Sequence, residues 1–79
     1  MEVKIYTTTL CPYCKMAKNF FKGKGIEYKE LNVEHNPIAA AEMMAKSRQM
    51  GVPVIDIGGK IIVGFDKSAI EKALGLKGG

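Results

Sequence analysis

The stretch TTTLCPYCKMAKNF, residues 7–20, contains both cysteines of the 79-residue chain, separated by one proline and one tyrosine. Two cysteines at this spacing bind a metal, close a small structural loop or exchange electrons. A bridge between Cys11 and Cys14 closes a short loop, so it constrains the unfolded chain little. This makes the structural loop the weakest of the three interpretations.

The composition is that of a globular protein, with 47% hydrophobic and 25% charged residues, and we expect a single domain over residues 1–79. The net charge is +4, but the lysines are spread from Lys4 to Lys77 without a run. We therefore expect a solvated surface and no nucleic-acid site. The same even spread of charge favours a monomer.

The first ten residues, MEVKIYTTTL, lack the basic and apolar regions of a signal peptide. No apolar run approaches the ~20 residues that a membrane span requires. We therefore expect a cytoplasmic protein without membrane contact. Lasting structural disulfides are disfavoured in that compartment, which favours a catalytic, redox-active or metal-binding cysteine pair.

The cysteines lie between two predicted strands. Residues 2–6 alternate polar and apolar side chains, and residues 26–33 do so again, which predicts two strands. Residues 12–24 carry one apolar stripe at helical spacing and end in glycines, which predicts a helix. A β–α–β order of this length implies a right-handed crossover and two parallel strands.

The second half of the chain continues the alternation. Its predicted elements are a helix from Pro37 to about residue 50, strands over residues 52–57 and 60–65, a helix over residues 66–74 and a loose tail at 76–79. Asn36 and Asp66 are predicted N-caps, and Gly58 with Gly59 predicts a hairpin turn. The complete order is β-α-β-α-β-β-α, which predicts a layered α/β fold.

The position of the cysteines predicts unequal roles. Cys11 lies at or beside the N-cap of the first helix, and Cys14 lies in its first turn, with Pro12 as the first helical residue. Unpaired N–H groups and about half a positive charge at a helix N-terminus stabilise a thiolate. Cys11 is therefore the predicted nucleophile. Cys14, which is more buried, is predicted to attack the mixed disulfide at Cys11 and release the substrate as a thiol.

Metal binding finds little support in the sequence. Zinc takes four ligands, and His35 is the only histidine available to join the two cysteines. We expect no metal and interpret His35 as a solvated loop residue. A metal or iron–sulfur carrier module that uses Cys11 stays as a less favoured alternative.

The segment GVPVI, residues 51–55, adds a second feature. Pro53 stands just before an apolar strand, where it forms either a simple turn or a cis peptide bond. Beside a C-x-x-C pair in an α/β chain, we favour the cis bond. Unpaired backbone groups on Val52 then pair with an extended peptide, as an added strand does.

The motifs CPYC, GVPVI and VGFD, in this order, resemble those of the glutaredoxin family, and the resemblance covers residues 3–74. It implies a thioredoxin-like fold of minimal size, with a four-stranded mixed sheet and helices on both faces. It also implies a glutathione-dependent thiol–disulfide oxidoreductase that reduces protein disulfides and glutathione mixed disulfides. The implied partners are glutathione as reducing co-substrate, disulfide-containing proteins and an upstream NADPH-dependent reductase.

The resemblance also assigns site residues. Cys11 resembles the nucleophile and Cys14 the resolving thiol, while Pro53 resembles the cis-proline. The residues that match the family's glutathione contacts are Tyr13, Gln49, Val52, Pro53, Gly64, Phe65 and Asp66, with Arg48 as an alternative to Gln49. The anion-binding N–H groups at the start of the third helix suit a γ-glutamyl carboxylate.

The chain departs from the family pattern at several positions. Thr8 stands where many members carry a lysine, and Gly51 stands where threonine is usual. Phe65 and Lys67 replace a small residue and a second acid. These departures keep open an alternative function, that of a glutaredoxin-like redoxin that is reduced by thioredoxin reductase and donates electrons to ribonucleotide reductase.

Overall fold

The order of elements predicted from the sequence is the order found in the structure. The computed structural model describes residues 2–75, so the loose tail expected at 76–79 lies outside the described residues. The elements are β1 (Val3–Thr7), α1 (Pro12–Gly23), β2 (Lys29–Asn32), α2 (Pro37–Ser47), β3 (Val54–Ile57), β4 (Lys60–Val63) and α3 (Lys67–Leu74). The predicted β-α-β-α-β-β-α order is confirmed.

The strands form one four-stranded mixed sheet in the spatial order β2-β1-β3-β4. β1 and β2 are parallel, as the β–α–β order predicts, with Thr7 opposite Asn32. β3 is antiparallel to β1, with Val54 opposite Tyr6, and β4 is antiparallel to β3. The ends of β1, β2 and β4 and the start of β3 therefore lie at one edge of the sheet.

Each face of the sheet has its own core, because side chains alternate along a strand. α1 and α3 cover one face, where the buried cluster consists of Val3, Ile5, Ala17, Phe21, Ile55, Ile57, Ile62, Ile70 and Ala73. α2 covers the other face, where Tyr6, Ala39, Met43 and Val54 are buried. The expected placement of helices on both faces is confirmed.

Two predicted caps are confirmed. The Asn36 and Asp66 side chains each accept the backbone N–H three residues ahead, at 3.0 and 3.1 Å, and so begin α2 and α3. α3 ends at Gly75, whose φ of 76° is the left-handed conformation that glycine adopts without steric cost. No helix within residues 2–75 is long and apolar enough to span a bilayer.

Several predicted boundaries are wrong at their ends. α2 ends at Ser47 and not near residue 50, because Arg48 takes a left-handed φ of 59° and donates its N–H to the Met44 carbonyl at 2.7 Å. The left-handed residue that ends α2 is thus an arginine, although glycine is the usual residue in this conformation. β1 covers Val3–Thr7 and not residues 2–6, because Thr7 still pairs with β2.

The other three strands are shorter than predicted. β2 covers Lys29–Asn32 and not residues 26–33, because these four residues are the ones in register with Lys4–Thr7 of β1. β3 begins at Val54 and not at residue 52, since Pro53 has no N–H for the ladder. β4 ends at Val63 and not at residue 65. The Gly64 N–H still donates to the Pro53 carbonyl at 2.7 Å, in register with the β3–β4 pairing, but Pro53 has no N–H to donate in return.

Candidate active site

Cys11 and Cys14 are joined as a disulfide at the start of α1, with their Cα atoms 5.2 Å apart. Cys11 is the N-cap of α1, with extended backbone, and its Sγ accepts the Cys14 backbone N–H at 3.1 Å. Cys11 is 8% exposed and Cys14 is 1% exposed. The outer sulfur thus lies against the unpaired N–H groups of the helix, and the inner one is enclosed by protein.

Two further predicted residues lie on the first turn of α1. Pro12 occupies the first helical position, where its missing N–H leaves no hydrogen bond unmade. Tyr13 is 61% exposed, so its ring is available to a ligand beside the disulfide. Pro12 and Tyr13 lie at the first two helical positions because Cys11 is the N-cap. The supporting role of Pro12 and the glutathione contact of Tyr13 stay predictions.

The antiparallel pairing of β1 with β3 brings the second predicted segment to the same edge of the sheet. The Val52–Pro53 peptide bond is cis, as predicted, and Pro53 is buried. Its carbonyl accepts the Gly64 N–H at 2.7 Å, which ties the segment before β3 to the segment after β4. Val52 makes no backbone hydrogen bond to any described residue, so its N–H and C=O are free to pair with an extended ligand.

The start of α3 completes this edge. Phe65 is half-buried and packs edge-to-face against Phe20, with ring centroids 6.0 Å apart. Its side chain therefore faces the core, and only its backbone is free for a ligand. The Asp66 carboxylate accepts the Ala69 N–H at 3.1 Å, so it caps α3 instead of pointing away from it.

Gln49, a predicted glutathione contact, has its side-chain amide hydrogen-bonded within its own loop. Its Nε2 donates to the Gly51 carbonyl at 3.0 Å and to Ser47 Oγ at 3.2 Å, while its Oε1 accepts the Gly51 N–H. A Cβ added at Gly51 would lie 2.7 Å from Gln49 Oε1. The glycine at position 51, which departs from the family pattern, is what allows the Gln49 amide to close this loop.

One group of residues beside Cys11 was not predicted. Thr9, two residues before Cys11, donates its N–H to the Glu34 carboxylate, and its Oγ1 accepts Asn32 Nδ2 at 3.2 Å. The Glu34 N–H donates to Asn32 Oδ1 at 2.9 Å. The hydrogen bond from Thr9 lowers the pKa of Glu34 below its usual range. The parallel pairing of β1 and β2 was the available signal, because it brings both following loops together.

A second polar group lies below the cysteine loop. The buried Thr7 hydroxyl donates to Glu30 Oε2 at 2.8 Å, and Lys18 Nζ donates to the same oxygen at 3.0 Å. Burial raises the pKa of Glu30, but the hydrogen bonds from Thr7 and Lys18 outweigh it, and the net shift is downward. The group joins β1, β2 and α1 directly beneath the site.

The described part of the chain contains no group of three or more His, Cys, Asp and Glu residues placed to hold a metal ion. His35 is exposed and lies in the loop after β2, as predicted. It is 24 residues along the chain from Cys11, but the pairing of β1 and β2 places its loop beside the loop of Thr9.

Comparison with known proteins identifies the family. The glutaredoxin family model matches residues 3–62. A glutaredoxin-like 8.6 kDa protein of the rubredoxin operon of Clostridium pasteurianum is 46% identical over 72 residues, which is 91% of this chain and 96% of the relative. Glutaredoxin 3 of Escherichia coli K12 is 38% identical over 65 residues, which is 82% of this chain and 78% of the relative.

A solved structure supports the same assignment. The chain is similar to the glutaredoxin-like protein NrdH-redoxin from Escherichia coli, with a TM-score of 0.80 and 28% identity, over 91% of this chain and 93% of that one. The disulfide of Cys11 and Cys14 at the start of α1 is the C-x-x-C pair that such a thiol oxidoreductase uses. The chain therefore belongs to the glutaredoxin family and has its thioredoxin-like fold.

Proposed function

We propose that the protein reduces protein disulfides and glutathione mixed disulfides through Cys11 and Cys14, with glutathione as the reducing co-substrate. One observation carries this proposal. Cys11 Sγ lies 3.1 Å from the Cys14 N–H at the helix N-terminus, while Cys14 is only 1% exposed. The helix N–H groups and dipole favour a thiolate at Cys11, and enclosure keeps Cys14 from external disulfides.

In the first step, the Cys11 thiolate attacks one sulfur of the substrate disulfide. A Cys11–substrate disulfide forms, and the other substrate sulfur leaves as a thiolate and takes up a proton. Cys14 then gives up its proton and attacks Cys11 Sγ, which releases the second substrate thiol. The products are two substrate thiols and the Cys11–Cys14 disulfide, which is the state of the present structure.

Glutathione then restores the dithiol in two exchanges. The first glutathione forms a mixed disulfide at Cys11, and the second removes it as glutathione disulfide, which an NADPH-dependent reductase reduces. The free backbone of Val52 supports the pairing of an extended tripeptide beside Cys11. The N–H groups at the start of α3 support a site for a glutathione carboxylate. We propose that the protein carries out these disulfide exchanges as a monomer in the reducing cytoplasm.

A second candidate concerns the source of electrons. The Gln49 amide is hydrogen-bonded to its own loop, and Thr8 replaces a lysine that would bind the glycine carboxylate of glutathione. The similar NrdH-redoxin is described as having a thioredoxin-like activity profile. These observations favour a redoxin that thioredoxin reductase reduces and that passes electrons to a protein such as ribonucleotide reductase.

A coupled turnover assay separates the two candidates. The same protein disulfide is offered with NADPH and either glutathione plus glutathione reductase or thioredoxin reductase alone. The glutathione proposal expects NADPH consumption in the first mixture and little in the second. The reverse result would assign the alternative function. No turnover in either mixture, from a protein that carries iron or zinc, would instead support the carrier hypothesis.

A further inference from the structure

A surface hollow of about 540 Å³ lies beside the loop that leads into Cys11, and its lining residues are Thr8, Thr9, Leu10, Glu34 and His35. A second hollow of about 210 Å³ is lined by Leu10, Cys11, Pro12 and Lys15. Leu10 belongs to both, so the larger hollow adjoins the surroundings of the nucleophile. Thr8 stands where many family members carry a lysine that binds glutathione, and no other residue that lines the hollow matches the family's glutathione contacts.

The wall of the larger hollow is held in place by hydrogen bonds. The Thr9 N–H donates to Glu34, and Asn32 Nδ2 donates to Thr9 Oγ1 at 3.2 Å. The Glu34 N–H in turn donates to Asn32 Oδ1 at 2.9 Å. These bonds join the loop after β1 to the loop after β2, so a ligand meets a surface whose shape is already formed, which reduces the entropic cost of binding.

The wall combines an apolar side chain with a carboxylate. The Leu10 side chain is 90% exposed, which leaves a large apolar surface next to the nucleophile. Glu34 is exposed, and its Oε1 accepts the Thr9 N–H. The same hydrogen bond lowers the pKa of Glu34, so the carboxylate is charged at neutral pH.

We propose that this hollow binds the polypeptide segment next to the cysteine of a protein disulfide substrate, with an apolar side chain on Leu10 and a Lys or Arg side chain on Glu34. The inference deepens the proposed function and rests on it, because Cys11 must first exchange disulfides. Glu34 repels the carboxylates of glutathione, so the hollow serves the protein substrate. Glutathione, the co-substrate, would instead bind at Val52 and Gly64, which match the family's glutathione contacts.

The test uses homodimeric disulfides of the peptide X-Leu-Cys-Leu-X, with X as lysine, glutamine or glutamate. Reduced protein in excess converts one peptide disulfide into two peptide thiols and itself forms the Cys11–Cys14 disulfide, without an external reductase. The uncharged bis(2-hydroxyethyl) disulfide serves as a small reference substrate. Single-turnover rates are measured at low ionic strength, where pairing between exposed charges is least screened.

The wild-type chain is expected to reduce the lysine peptide about fivefold faster than the glutamate peptide, which is the size expected of one exposed charge interaction. Glu34→Gln should bring the ratio close to one, and Glu34→Lys should reverse it. Glu27→Gln is the matched control, because Glu27 is an exposed glutamate before β2, at the opposite edge of the sheet from Cys11. It should keep the wild-type ratio.

A purely structural role of Glu34 would slow all three peptides equally and leave their ratio unchanged, and that outcome overturns the proposal. Equal rates for the three peptides in the wild-type chain, with the small disulfide still reduced, overturn it as well. A chain that reduces neither the peptides nor bis(2-hydroxyethyl) disulfide contradicts the proposed function itself. The two failures are therefore distinguishable in one experiment.

Discussion

The two faces of the sheet are packed by different kinds of interaction. Between the sheet and the pair α1 and α3, the main buried cluster is apolar, with Phe21 entirely enclosed, and the hydrogen bonds of Thr7, Glu30 and Lys18 lie beside the cysteines. Between the sheet and α2, the buried Tyr6 hydroxyl donates to Glu42 at 2.6 Å and accepts from Lys46 at 2.8 Å. Lys46 also donates to Asp56 Oδ2 at 2.7 Å.

The sequence of α2 shows the consequence of this polar network. Its charged residues Glu42 and Lys46 turn toward the sheet, while Ile38 and Met44 are 78% and 49% exposed. The usual arrangement of an amphipathic helix is thus partly inverted. α1, which carries the cysteines, packs on the sheet mainly through apolar side chains, whereas α2 adds charged hydrogen bonds to the apolar contacts of Ala39 and Met43. We expect substitutions on the two faces to differ in their response to pH.

The largest effect is expected from the apolar face. Phe21→Ala removes a fully buried ring from the core beneath the cysteine helix, and should lower the free energy of unfolding by about 3–5 kcal/mol. Denaturant unfolding at pH 5, 7 and 9 measures this loss, which should be the same at each pH. Phe20→Ala, at a half-buried neighbour, is the control with a smaller expected loss. A loss that varies with pH would remove the distinction between the faces.

An intermediate effect is expected from the polar face. Lys46→Met keeps most of the side-chain volume but removes the ammonium group that Asp56 and Tyr6 share, and should cost about 1–3 kcal/mol. Adding Asp56→Asn should recover part of the loss, since no charge is then left unpaired. Lys60→Met, at an exposed position on β4, is the matched control and should have little effect. A double variant that is less stable than Lys46→Met alone would contradict this account.

The smallest effect is the pH dependence of the wild-type protein. Burial raises the pKa of Asp56, but hydrogen bonds from Lys46 and Gly59 outweigh it and the net shift is downward. A lowered pKa in the folded state gives stability that is present above the unfolded pKa and lost as pH falls through the folded one. Below about pH 4 we expect a loss near 1 kcal/mol from this pair.

The control for this pH dependence is Asp56→Asn, which should make the acid limb of the stability profile shallower, while Phe21→Ala should leave its slope unchanged. A limb remains after Asp56→Asn because the pKa values of Glu30 and Glu42 are also lowered. Burial lowers the pKa of Lys46, but its hydrogen bonds to Asp56 and Tyr6 outweigh this and raise it, so its contribution is lost only at alkaline pH. An acid limb that Asp56→Asn leaves unchanged would show that other carboxylates cause it.

The elements that a short stretch of sequence determines were predicted correctly. Helix caps and apolar stripes depend on residues within one or two helical turns, so a short stretch of sequence predicts them. This applies to the caps Asn36 and Asp66 and to the apolar stripe of α1. The errors lie where distant segments decide. β2 is limited to the residues in register with β1, and β4 ends where the opposite residue is Pro53, which has no N–H to donate.

The same distinction applies to the site. The positions of Cys11 and Cys14 follow from one helix N-terminus, and they were predicted. The hydrogen bond between Thr9 and Glu34 joins residues 25 positions apart, so no local sequence pattern predicts it. Gln49 stays a predicted glutathione contact by resemblance, and its hydrogen bonds to Gly51 depend on the glycine at that position, which the family pattern does not indicate.

The central claim, that Cys11 attacks and Cys14 resolves, is tested most directly by trapping the intermediate. Reduced Cys14→Ser and Cys11→Ser variants are mixed with a glutathionylated peptide, and the adducts are identified by mass spectrometry after acid quenching. The account predicts a stable mixed disulfide at Cys11 in Cys14→Ser and essentially none in Cys11→Ser, because Cys14 is 1% exposed. A Cys14 adduct forming at a comparable rate in Cys11→Ser would contradict the assignment of roles.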